Sequence, residues 1–172
     1  MAELRKGAVK WKGAPTDVLG PEIKVGDKAP TDFSIVGTDM SAITGKDMAG
    51  QTRIICAVPS LDTPVCDTEM RRFNKEAEKL GDVKVYVVSM DLPFAQKRWC
   101  GATGSDKIIA ASDYKDRNFG TAFGTFAPSK GLEVRAVFVI GKDDVVKHVE
   151  YVEDIVNEPN YDAALGAAKA AG

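Results

Sequence analysis

One histidine, three cysteines and no dense block of charge occur among the 172 residues of this chain. Each scarcity removes a class of function. With His148 as the only imidazole, no group of His, Cys and carboxylates has metal-ligand spacing, so neither a metal nor a cofactor is expected. Three cysteines are too few for a disulfide scaffold, and an odd number leaves at least one thiol unpaired. At a net charge of −2, nothing draws the chain to nucleic acid or to an anionic membrane. No run approaches the roughly 20 apolar residues that a membrane helix needs. The segment Met1–Ala8 lacks the apolar core of a secretory signal, which reads as cytoplasmic, although a processed export precursor would look the same. No two cysteines are separated by two residues, the spacing a dithiol disulfide reductase normally uses.

A content of 44% hydrophobic and 28% charged residues suffices for a core. Without a repeat, low-complexity linker or visible boundary, residues 1–172 read as a single domain. Strand-like and helix-like segments alternate, so the expected class is α/β. Ala8–Lys12 and Pro15–Leu19 flank Gly13-Ala14 as a short hairpin, and Asp32–Val36 reads as a strand before a polar loop to Gly50. Arg53–Val58 is a continuous apolar run of the kind found in buried central strands. From Cys66 onward, Met70, Phe73, Ala77 and Leu80 recur at helical spacing, with Gly81 as the stop. Val83–Met90 is a further strand. Asp91 then caps a short helix with Pro93 in its first turn and Cys100 at its far end. Lys107–Ala111 reads as a strand, Asn118–Phe123 as a helix, and Arg135–Ile140 with Val145–Val152 as a hairpin. The Ala-rich tail, Asn160–Ala170, is helical.

Chemistry concentrates at Cys66. It closes the run Pro59-Ser60-Leu61-Asp62-Thr63-Pro64-Val65-Cys66, between the apolar strand and the amphipathic helix. A thiol there faces unpaired backbone N–H groups and the positive end of the helix dipole, both of which favour the thiolate. Cys100 lies 34 residues further on, and two thiols in such settings suggest redox chemistry at sulfur. Cys56 reads differently, as a small hydrophobic group packed within its strand. Trp11, Trp99 and His148 read as packing or structural residues.

Pro59, Thr63 and Cys66 reproduce the peroxiredoxin pattern of a proline, a threonine or serine, and a cysteine. Asp91–Gln96 leading to Trp99-Cys100-Gly101-Ala102 resembles the second signature of the thiol peroxidase subgroup, which commonly carries phenylalanine where Trp99 stands. Lys130-Gly131-Leu132 with Arg135-Ala136, and Glu158-Pro159 with Tyr161, Ala163, Ala164 and Leu165, are similar as well. The resemblance implies a thioredoxin-like central mixed sheet flanked by helices, with an N-terminal β-hairpin extension. It implies reduction of hydrogen peroxide and organic hydroperoxides, thioredoxin as electron donor, and a homodimer.

Carried over residue by residue, Cys66 is the peroxidatic nucleophile, and Cys100 resolves its sulfenic acid as an intramolecular disulfide. Thr63 would hydrogen-bond thiolate and peroxide, and Arg135 would supply a fixed cation to both. Pro59 and Pro64 would stiffen the loop. Resolution is expected to need local unwinding around one or both cysteines. The competing readings are a slow thiol redox sensor or relay, a disulfide reductase and a binding module. The first differs from a peroxidase in lacking rapid turnover with thioredoxin.

Overall fold

The computed structural model describes residues 2–172. Lys12 and Gly13 both take positive φ, 52° and 85°, the geometry that matches the twist of a two-residue hairpin. They join β1 (Leu4–Trp11) to β2 (Ala14–Leu19). There follow β3 (Ser34–Gly37), β4 (Ala42–Thr44), α1 (Gly45–Met48), β5 (Arg53–Ala57), α2 (Pro64–Ala77) and β6 (Lys84–Ser89). The chain continues through α3 (Pro93–Thr103), β7 (Ile108–Ser112), α4 (Asn118–Phe123), β8 (Phe126–Ala127) and β9 (Leu132–Glu133). It ends with β10 (Ala136–Ile140), β11 (Val146–Tyr151) and α5 (Tyr161–Ala171).

Seven strands form one mixed sheet in the order β11-β10-β5-β6-β7-β3-β4, and the hairpin forms a second sheet, β1-β2-β8-β9. Strands β5, β6 and β7 run parallel, while β10 pairs β5 antiparallel. The apolar run of β5 is explained by burial on both faces. Ile54 and Cys56 pack with Met70 and Phe73 of α2, Trp99 of α3 and Leu165 of α5. Ile55 and Ala57 face the opposite way, toward Phe33, Met48, Phe119 and Phe123. This is the thioredoxin-like arrangement, a mixed sheet between helical layers.

Three expectations are corrected. Helix α2 ends at Ala77 rather than at Gly81; Lys79 and Leu80 close it in turns onto the Glu76 and Ala77 carbonyls. Gly81, at φ +64°, supplies the reversal into β6. Asp91 does not cap α3, whose N-cap is Leu92 with no side-chain hydrogen bond. Its carboxylate has better donors across the sheet end, described below. The polar loop before Gly50 also contains β4 and α1, the latter opened by a Thr44–Asp47 capping box.

Candidate active site

The loop leading to Cys66 leaves the C-terminal end of β5, beside the antiparallel partner β10, where an open α/β sheet has a crevice. Asp91 holds that loop. Its carboxylate accepts from Ser60 Oγ at 2.7 Å, Leu61 N at 2.9 Å and Ser89 Oγ at 2.7 Å, tying the ends of β5 and β6 together. Thr63 is the N-cap of α2: its Oγ1 accepts from the Cys66 N–H at 3.3 Å and donates to the Ser60 carbonyl at 3.1 Å. Its hydroxyl is therefore engaged with backbone in this state, not with the sulfur. Pro64 sits at N1, where a missing N–H leaves nothing unsatisfied. Cys66, in the first turn of α2, is fully buried, and Pro59 is buried as well.

Arg135 lies one residue before β10 and is 1% exposed, so it is no surface arginine. Its Nη1 donates to Cys66 Sγ at 3.2 Å and to Glu69 Oε2 at 2.6 Å. Nε and Nη2 both donate to the Ile155 carbonyl, at 3.1 and 2.8 Å. The planar fork is thus fixed on three sides. Burial works against its charge, but Glu69 and then Cys66 outweigh that and raise its pKa. The Ile155 carbonyl is itself held by β1: Ile155 N donates to the Lys10 carbonyl at 3.1 Å, and Lys10 N to the Glu153 carbonyl at 2.7 Å. The hairpin also brings Trp11 and Lys12 to the rim of the site.

Glu69 was not anticipated from sequence. Its signal was a carboxylate three residues after Cys66, on the buried stripe of Met70 and Phe73, where a charge needs a partner. Burial, opposed by the charge and hydrogen bond of Arg135, pushes its pKa up to about 7. One oxygen, Oε1, has no partner, which accounts for burial prevailing over the ion pair. The sign follows from linkage: between the ordinary 4.5 and about 7 the folded chain holds a proton that the unfolded chain has lost. This group's contribution to stability therefore falls as pH rises through that window and is level above it. Urea unfolding at pH 5 and pH 8 is expected to show Glu69→Gln removing this slope. The wild-type stability measured against the variant should fall by up to about 3 kcal/mol between the two pH values. An equal gap at both would show Glu69 ionised throughout.

A cavity of about 270 Å³ opens over this cluster, lined among others by Trp11, Pro59, Thr63, Val65, Arg135 and Ile155. Cys100 is elsewhere. It is half-buried near the end of α3, at the edge of the core that contains Cys66, and lines a separate cleft of about 390 Å³ with Gly37, Ser41, Ile43 and Ala110. Burial pushes its thiol pKa up, offset in part by its own backbone hydrogen bond. Cys56, at the centre of β5, is completely buried, and its thiol is pushed well up by desolvation and then by Glu69. All three cysteines are free thiols. The structure thus brings Cys66, Thr63, Arg135 and Pro59 to one place and sets Cys100 apart.

A buried thiol at a helix start, met by a guanidinium under a small cavity on a thioredoxin-like sheet, defines a thiol-based redox protein. Residues 24–165 match the family model described as Redoxin. The thiol peroxidase of Bacillus subtilis (strain 168) is 48% identical over 162 residues, covering 94% of this chain and 96% of that one. That of Streptococcus pneumoniae (strain ATCC BAA-255 / R6) is 47% identical over 162 residues, covering 94% and 99%. A solved structure of a peroxiredoxin-like protein from Aquifex aeolicus superposes with a TM-score of 0.89 at 39% identity, covering 98% of this chain and 99% of that one. The chain belongs to the redoxin family and, within it, to the thiol peroxidase group of the peroxiredoxins.

Proposed function

We propose that this thiol-dependent peroxidase reduces hydrogen peroxide and organic hydroperoxides through Cys66, with Cys100 as the resolving thiol and thioredoxin as the reductant. The observation that carries the reading is the bond from Arg135 Nη1 to the buried Cys66 Sγ. The same cation and donor that face the sulfur lie where an incoming hydroperoxide would meet it. As a thiolate, Cys66 attacks the terminal oxygen; the O–O bond breaks, and a proton passes to the departing oxygen as water or alcohol forms. The sulfur, oxidised by two electrons, is left as a sulfenic acid. Donors placed where charge develops in such a step are typically worth a factor of about 10² to 10³ each. Thr63, capping the Cys66 N–H, fixes the turn that presents the sulfur.

The Cys100 thiol then attacks the sulfenic sulfur, the S–O bond breaks and water leaves, giving a Cys66–Cys100 disulfide. Thioredoxin's dithiol returns two electrons by exchange. Cysteines on one chain, with no third thiol in a reactive setting, support the intramolecular assignment. Membership of the thiol peroxidase group supports the reductant, and a homodimer belongs to the same reading.

Mass spectrometry after one equivalent of hydrogen peroxide tests both thiols. The expected products are a gain of one oxygen on Cys66 in Cys100→Ser and a loss of two hydrogens in the unsubstituted chain. Absence of either product rejects the corresponding role.

A further inference from the structure

The geometry points to the hydrogen bond between Trp99 and Asp67 as a latch between the two cysteine-bearing helices. We propose that its strength sets how oxidised Cys66 divides between Cys100 and further oxidant. The inference rests on the roles proposed above for the two thiols. Trp99 Nε1 donates to Asp67 Oδ1 at 2.9 Å. Asp67 directly follows Cys66 in the first turn of α2, and Trp99 directly precedes Cys100 in α3. The bond therefore ties the two helices one residue away from each sulfur. The indole is 6% exposed and packs in the same core as Cys66 and Met70. The nearby Arg98–Asp62 pair, 3.6 Å apart and exposed on both sides, adds little to this tie.

In the reduced chain the sulfurs serve different spaces. Cys66 Sγ faces Arg135, while Cys100 lines the cleft beside β3 and β7. Disulfide formation requires a sulfur–sulfur bond of about 2 Å and Cα atoms within about 7 Å. The Arg135 contact must give way, and the start of α2 or the end of α3 must shift. A bond between those same turns opposes the shift. While the latch is closed, the sulfenic acid stays beside Arg135, where a second hydroperoxide can oxidise it. In that step another O–O bond breaks, one oxygen joins the sulfur, which loses two more electrons, and water or alcohol leaves. The product is a sulfinic acid that Cys100 cannot resolve.

Trp99→Phe keeps an aromatic ring in the core and removes only the donor. Asp67 is not orphaned by the change, because its Oδ2 accepts from Arg71 Nε at 2.8 Å. In rapid mixing of the full chain with hydrogen peroxide, followed by quenched mass spectrometry, the first oxidation of Cys66 should stay within about twofold of the unsubstituted chain. Disulfide formation should become about three- to tenfold faster, the size of effect expected from losing one ordinary, partly exposed hydrogen bond. The peroxide concentration giving half sulfinic acid should rise by the same factor. Asp67→Asn keeps an oxygen for the indole and should remain within about twofold on every reading. If Trp99→Phe does not fold, Asp67→Ala removes the acceptor without touching the core and must show the same shift. A partition that is unchanged, or moved toward sulfinic acid, overturns the latch. Failure of the unsubstituted chain to form either oxidised product overturns the thiol roles instead.

Discussion

Arg135→Met is expected to slow the reaction of Cys66 with hydroperoxide by about 10² to 10³, measured by rapid mixing with excess peroxide before any disulfide forms. Methionine fills much of the same volume but donates nothing to Cys66 Sγ, Glu69 or the Ile155 carbonyl. It also leaves a buried carboxyl without its cation, a change that typically costs about 3–5 kcal/mol when the group stays charged. Protonation of Glu69, whose pKa burial already pushes up to about 7, limits that loss at low pH. The two effects are separable. Adding Glu69→Gln to Arg135→Met should recover part of the stability in urea unfolding and none of the rate. Arg135→Lys should fall between the two, since a single ammonium cannot reach all three acceptors. A rate within threefold of the unsubstituted chain for Arg135→Met would remove the guanidinium from the chemistry.

Cys66→Ser is expected to abolish hydroperoxide consumption outright, with thioredoxin and its reductase present, because no other thiol in the chain can replace it. Cys56 is sealed within β5 with its pKa pushed well up, and Cys100 lines a different cleft with no comparable cation at its sulfur. Cys100→Ser should form no disulfide: without an external thiol each chain consumes one equivalent of peroxide to reach the sulfenic acid and, in excess peroxide, a second to reach the sulfinic acid, and then stops. Cys56→Ala should turn over normally. Persistent turnover in Cys66→Ser, assayed by peroxide loss, would place the nucleophile elsewhere.

What the sequence discloses depends on how local each cause is. The strands β5 and β6 are visible because burial on both faces demands continuous apolar runs, and α2 because Cys66, Met70, Phe73 and Ala77 keep a helical period. Thr63 and Pro64 mark the helix start, and with it the setting of Cys66, by local chemistry alone. The failures are nonlocal. Asp91 carries a cap-like signature, yet donors from Ser60, Leu61 and Ser89 converge on its carboxylate and take it away from α3. The short β4 and α1 are held by neighbours and edge pairing more than by any period of their own. Arg135 is recognisable only through family resemblance, since its partners Glu69 and Ile155 are brought to it by the fold. The N-cap bond from the Cys66 N–H to the Thr63 hydroxyl, by contrast, is local, and the part that hydroxyl would play toward a hydroperoxide belongs to the proposed function.

The leading hairpin reaches the Cys66 sulfur by a short relay, from the Lys10 carbonyl through Ile155 to Arg135. A nick or a bulky fusion that peels this ribbon away would therefore register as a misaimed cation before it registered as unfolding. What looks like an appendage to the sheet is part of the scaffold that aims the guanidinium at Cys66.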